Sequence, residues 1–201
     1  MSNYRKDLSS IVSLVSQGSR VLDVGCGDGI LLEYLKKDKE VIGQGLEIRQ
    51  DRVNKCVAKG LSVIQGDAAK DLSLYPNKSF DCVILSQTIQ ATGKPKEVLS
   101  ELMRIGKETI VSLPNFGFWE VRLNLFLTGK MPITKRLNEN WYETQNIHLC
   151  TITDFVNLCD ELKINIKKTI TFNSKKIKTF KEKPRAIENV IAEEAVFLLT
   201  S

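Results

Sequence analysis

The run VLDVGCGDG at residues 21–29 constrains this chain more than any other stretch. A short apolar segment runs straight into three glycines spaced two apart. Glycine adopts left-handed backbone without a steric penalty and lets another molecule approach the main chain closely. An apolar strand that ends on such a turn and then enters a helix is the opening of a βα unit. In an open α/β sheet that turn lies at the carboxyl edge of the strands, where ligands bind. A dinucleotide fingerprint would place its third glycine at 30, where this chain has Ile30. The Gly-Lys-Ser/Thr ending of a triphosphate loop is absent too.

The rest of the chain carries the alternation such a unit needs. Leu8, Ile11, Val12 and Val15 predict an amphipathic helix over 3–17, which Gly18 stops. A strand at 20–24 precedes the glycines, and Ile30, Leu31, Leu32, Tyr34 and Leu35 predict the helix after them. Strands near 40–47, 61–65, 80–85 and 108–113 alternate with helices near 49–59 and 95–104. Beyond Pro114 the character changes. Residues 114–150 hold both tryptophans and the only histidine, and this aromatic-rich insertion is too long for a plain connection. A helix near 153–162 follows, then a period-two run of Ile164, Ile166, Ile170 and Phe172, a Lys-rich loop at 173–185 and a strand at 191–199. The two late strands are expected to form an antiparallel hairpin at the sheet edge. The expected fold is α/β and doubly wound, with a mostly parallel seven-stranded sheet and an antiparallel edge strand. A length of 201 residues suits one domain over 1–201.

Acidic residues stand near the ends of the first three strands. Asp23 lies two residues before the first glycine, where the amino group of a bound amino-acid moiety would reach it. Glu47 ends the second strand, where a carboxylate accepts hydrogen bonds from both hydroxyls of a ribose. Asp67, in Gln65-Gly66-Asp67-Ala68, follows the third strand and could meet an adenine amino group. Three acids suit a ligand with an ammonium group, a ribose and an adenine but no phosphate. A phosphate would call for basic residues at a bare helix N-terminus.

These residues resemble motif I and the following motifs of the class I S-adenosylmethionine (SAM)-dependent methyltransferases, a Rossmann-like fold. The resemblance carries cofactor binding onto Asp23, Gly25, Gly27, Glu47 and Asp67, with Cys26, Ile48, Ala68 and Ser86 beside them, and S-adenosylhomocysteine as the product. It also implies that the two late strands are the antiparallel pair of that fold. A narrower likeness runs from about residue 20 to the C-terminus. GCGDGILLEYL, GQGLEI, SQTIQA, SLPNFGFWEVRLNL, GKMPITK, WYETQNIHLCTITDF and AEEAVFLL are similar to the methionine biosynthesis protein MetW family. That resemblance implies partnership with a homoserine O-acyltransferase. It leaves two activities open: methyl transfer to a small molecule, or a non-catalytic SAM-binding partner or regulator of the acyltransferase.

Catalytic candidates are sparse. A sulfonium is already an activated leaving group, so methyl transfer needs mainly positioning, and a base only when the nucleophile is protonated. His148 is the one histidine and a weak candidate for that base, against a purely structural role. Ser86, Gln87 and Thr88 follow the fourth strand without the Asp/Asn/Ser-Pro-Pro-Tyr/Phe signature of amide and base N-methyltransferases, which counts against DNA bases or glutamine as acceptors. Phe116, Phe118, Trp119, Trp141 and Tyr142 would cap the cofactor, line an acceptor pocket or simply pack together. Cys26 reads as a small side chain packed under the turn. Five cysteines with no CxxC pair fit a reduced cytoplasmic chain with no zinc site. No apolar run reaches the roughly 18 residues of a membrane span. A net charge of +5 is mild. The lysines at 175, 176, 178, 181 and 183 with Arg185 lack interleaved aromatics, so a solvated loop is favoured over nucleic-acid binding.

Overall fold

A computed structural model describes residues 6–134, 137, 139–174 and 176–201. Residues 3–5 of the predicted first helix, and Lys175, lie outside the described residues. The elements alternate as the sequence predicts, except for the short helix α4, which it does not predict: α1 Lys6–Leu14, β1 Arg20–Val24, α2 Ile30–Lys39, β2 Ile42–Glu47, α3 Gln50–Ala58, β3 Ser62–Gln65, α4 Ala68–Asp71, β4 Phe80–Ser86, α5 Pro95–Ile105 and β5 Gly106–Pro114. After these come α6 Trp119–Thr128, α7 Ile152–Glu161, β6 Asn165–Phe172, β7 Ile177–Phe180, α8 Glu188–Ile191 and β8 Glu194–Thr200. Short 3-10 turns stand at Leu72–Leu74 and Ile89–Ala91.

All the strands join one sheet in the order β3-β2-β1-β4-β5-β8-β6-β7. The first five strands are parallel, and β8 runs antiparallel to both β5 and β6. Alternate residues of each strand serve opposite faces. In β8, Ala195, Phe197 and Leu199 enter the core under α5 and α7, while Val196 and Leu198 enter the core under α1 and α2. Phe155 and Phe197 meet there with ring centroids 4.7 Å apart. Burying side chains of this size stabilises the fold by about 1.5–3 kcal/mol each. Leu8, Ile11, Val12 and Val15 all enter the second core, as their helical spacing requires. A capping box starts α7: Thr151 Oγ1 accepts from the Asp154 N–H, and the Asp154 carboxylate accepts from the Thr151 N–H.

Three expectations are corrected. The sheet has eight strands among the described residues rather than seven, because Ile177–Phe180 pairs with β6 inside the stretch expected to be a loop. That strand is only four residues long and half exposed, and the lysines around it mask its alternation. The late strands are antiparallel neighbours, yet they do not form the edge hairpin. β8 inserts between β5 and β6, and the hairpin partner of β6 is β7. The last strand begins at Glu194, because Glu188–Ile191 forms the short helix α8.

Candidate functional site

The glycine turn is built by β1 and held by β2. Asp23 is in register with Gly45 of β2 and Ile84 of β4, in the middle of the parallel strands. As the chain leaves β1, the N–H groups of Gly25 and Cys26 both donate to the Leu46 carbonyl, at 2.7 and 3.3 Å. The Gly27 N–H then donates to Glu47 Oε2 at 2.8 Å, and the Arg49 N–H donates to Glu47 Oε1 at 2.9 Å. The acid that ends one strand therefore clamps the turn that ends its neighbour.

This turn borders a cleft of about 850 Å³ at the carboxyl edge of the sheet. Asp23, Gly25, Cys26, Gly27, Glu47, Ile48, Asp67, Ala68 and Ser86 all line it. Asp23 is 1% exposed, and among the described residues no donor reaches its carboxylate. Burial, with the nearby Glu47 charge as the lesser cause, pushes its pKa from the ordinary carboxylate range up to about 8. A buried carboxylate with no donor among the described residues favours a cationic donor from a ligand. Glu47 differs, because each of its oxygens already holds one backbone donor and keeps further acceptor capacity. Replacing it frees the turn and removes that capacity together. Glu47→Ala is expected to weaken S-adenosylhomocysteine binding by about 1–3 kcal/mol, read by calorimetry. An unchanged affinity would remove Glu47 from the site.

The remaining lining residues have structural duties as well. Asp67 Oδ1 accepts from the Ala69 N–H at 2.9 Å and so caps α4, and the Asp67 N–H donates to Asp71 Oδ2 at 2.7 Å. Ser86 Oγ lies 3.2 Å from Ser112 Oγ. Cys26 packs with Leu32, Cys56 and Leu61 beneath the turn. Burial first, then the Asp23 charge, drives its thiol far above the ordinary range, so it stays protonated.

Other candidates are not brought to the cleft. His148 is exposed and absent from its lining, and its backbone N–H donates to the Gln90 carbonyl at 3.0 Å. Phe118 is buried against Val121 and Leu137, with Phe116 packed on them, whereas Trp119, Trp141 and Tyr142 are exposed. Asn115 borders a separate cavity of about 240 Å³. Its side chain is used up in tying β5 to the helices beyond: Nδ2 donates to the Asn189 and Ala192 carbonyls, and Oδ1 accepts from the N–H groups of Gly117 and Ile152. In the Lys-rich stretch, Lys178 pairs with Glu188 and Lys183 with Asp160, both at 2.6 Å.

Sequence reasoning missed Leu8, Arg52 and Gln145, which also line the cleft. Arg52 Nη1 lies 3.9 Å from the place a Cβ on Gly27 would occupy. Its position in the first turn after the Glu47 segment was the only available signal. Gln145 arrives from the distant aromatic stretch, and Leu8 had read as core alone.

An open sheet of this order, with a glycine turn after β1 and an acid at the end of β2, has the fold of the class I SAM-dependent methyltransferases. Solved SAM-dependent methyltransferases share it. The protein from Archaeoglobus fulgidus superposes with a TM-score of 0.69 at 16% identity, over 97% of this chain and 91% of that one. The protein from Mesorhizobium loti gives 0.68 at 15% identity, over 96% of each chain. More narrowly, the chain belongs to the family described as methionine biosynthesis protein MetW, which matches residues 5–199. The bifunctional methionine biosynthesis protein MetXA/MetW of Rhodopirellula baltica is 31% identical over 173 residues, 82% of this chain and 28% of that protein. A fatty-acid O-methyltransferase of Mycolicibacterium smegmatis is 34% identical over 94 residues, 44% of this chain and 34% of that protein. The chain thus spans about a third or less of the length of these two relatives. No helix among the described residues is long and apolar enough to cross a membrane.

Proposed function

We propose that the chain binds SAM in the cleft beside the glycine turn and transfers its methyl group to a small-molecule acceptor, in partnership with a homoserine O-acyltransferase. The observation that carries this reading is Asp23: a buried carboxylate on the cleft wall with no protein donor among the described residues. Beside it, a Cβ added at Gly27 would meet nothing closer than Arg52 Nη1, which leaves the main chain open to a ligand. An amino-acid ammonium suits Asp23, ribose hydroxyls suit the spare acceptor capacity of Glu47, and Ile48 and Asp67 flank the expected adenine. When bound, SAM supplies a methyl group on an activated sulfonium. The chain's own part is to hold the two reactants in line and keep the segment from Ser86 to Thr88 facing the acceptor. The partnership rests on the union of MetXA and MetW in the bifunctional Rhodopirellula protein.

A second reading, a SAM-binding regulator of the acyltransferase without turnover, draws on one observation: no histidine lines the cleft. One experiment separates the two. Calorimetry is expected to show SAM and S-adenosylhomocysteine binding in the micromolar range, about −8 kcal/mol. Incubation with labelled SAM and a deproteinised cell extract, with and without the acyltransferase, is expected to release S-adenosylhomocysteine above background. Binding without release under either condition favours the regulator. Absence of binding, or equal affinity for NAD, overturns both.

A further inference from the structure

The ten residues of α6 have two apolar sides. Val121 faces inward, 7% exposed, and packs with Phe118 and Leu137. Trp119, Leu123, Phe126 and Leu127 recur at i, i+4, i+7 and i+8, and they are 50%, 45%, 85% and 68% exposed. That spacing puts them on one outward stripe. Helical stripes of this kind are normally buried, so a second apolar stripe left in water calls for another surface to cover it. Further exposed apolar side chains stand beyond the helix in the same insertion. Met131, just beyond α6, shares a cavity of about 110 Å³ with Trp141. Trp141 and Tyr142 meet edge-on at 5.6 Å and are 72% and 67% exposed. Exposed apolar side chains in such number mark interaction sites, and Trp, Tyr, Phe and Met are the types enriched at the centre of protein interfaces.

The chain that carries Trp141 and Tyr142 goes on to the cofactor cleft. Gln145 lines that cleft. Immediately after it, the N–H groups of Ile147 and His148 both donate to the Gln90 carbonyl at 3.0 Å. Gln90 Nε2 in turn donates to the carbonyl of Gln87, which also lines the cleft. A protein seated on Trp141 and Tyr142 therefore rests on a segment that leads directly to the cleft.

The union of MetXA with MetW in the Rhodopirellula protein states which neighbour such a unit has to meet. We propose that the outward stripe of α6, together with the exposed pair Trp141 and Tyr142, is the docking surface for the homoserine O-acyltransferase. This rests on the partnership proposed above.

The test titrates the acyltransferase encoded in the same genome into this protein by calorimetry. Phe126→Asp combined with Leu127→Asp, and separately Trp141→Ala, are expected to weaken association at least tenfold. Because these side chains are largely exposed, both variants are expected to keep the wild-type melting temperature and S-adenosylhomocysteine affinity. Leu74→Asp changes an equally exposed residue, 79% exposed in the turn that leads into the start of β4, and is expected to leave association unchanged. Undiminished association of the double variant overturns the docking surface and leaves the partnership standing. No association of the wild-type protein at tens of micromolar overturns the partnership and this proposal with it. Sedimentation supplies the last arm. If the double variant abolishes self-association and still binds the acyltransferase as the wild type does, the stripe belongs to a second copy of this chain, and the proposal fails.

Discussion

Asp23→Asn is expected to cost the protein its S-adenosylhomocysteine binding and to raise the stability of the ligand-free chain near neutral pH. Both effects come from one buried carboxylate. Asp23 titrates near pH 8 in the folded protein, against 3.8 for a solvated aspartate. Below pH 3.8 it is protonated in both states and costs nothing. Between 3.8 and about 8 the unfolded chain ionises it while the folded chain keeps the proton, so the folded state loses ground as pH rises, at up to about 1.4 kcal/mol per pH unit. Above about 8 the loss is complete and stays constant. Asparagine has the same shape and no proton to lose. The variant is expected to melt several degrees higher than wild type at pH 7.5 and about level with it near pH 4. Binding runs the other way. A ligand ammonium favours the ionised carboxylate, so wild-type affinity is expected to tighten as pH rises from 6 to 8, and the variant to show no such slope. Melting curves and calorimetry across this range read both effects. Parallel pH profiles for the two proteins would show that Asp23 is neither perturbed nor facing the ligand.

The cost of Asp23 also explains what could be read in the sequence. A carboxylate in the middle of a sheet violates ordinary burial preferences, and such violations mark function because stability alone would remove them. The glycine turn was legible for a related reason, since a backbone requirement is written directly as residue type. Glu47 and Asp67 were legible because a strand's end fixes where its next residue can point. Other features depend on contacts distant in sequence. Nothing local places β8 between β5 and β6, because strand order follows from which faces cover which helices. The four residues of β7 are too few to show a period among lysines. In α6 the inward Val121 and the outward stripe together blur the apolar face, so the segment read only as aromatic-rich. His148 stood out in composition as the sole histidine, yet its anchoring is through the main chain, which no residue identity reports. Gln145 reached the cleft by a fold-level route with no local signature.

The second large effect separates two glycines that look alike in sequence. Gly27→Val and Gly29→Ala are expected to fail in opposite ways, although both residues are left-handed, at φ 57° and 79°. A non-glycine residue held there pays roughly 1–2 kcal/mol. At Gly29 a further penalty arises from packing. A Cβ would lie 2.4 Å from Leu61 Cδ1 and 2.9 Å from Cys56 Sγ, and both partners are buried in the cluster beneath the turn. Overpacking of that kind costs about 1–3 kcal/mol. Gly29→Ala is therefore expected to lose about 3 kcal/mol of stability, on the order of ten degrees in melting temperature for a chain of this size. At Gly27 the added group meets only Arg52 Nη1, at 3.9 Å, on the side open to the cleft. Valine there is expected to keep the fold, melt only a few degrees lower, and weaken S-adenosylhomocysteine binding by more than a hundredfold, because its methyl groups would stand where the ligand is proposed to meet the main chain. Thermal melts give the stability of each variant and calorimetry its affinity. Wild-type binding by a folded Gly27→Val protein would move the cofactor away from the turn. A Gly29→Ala protein that melts with the wild type would mean that the cluster under the turn yields where it is packed most closely.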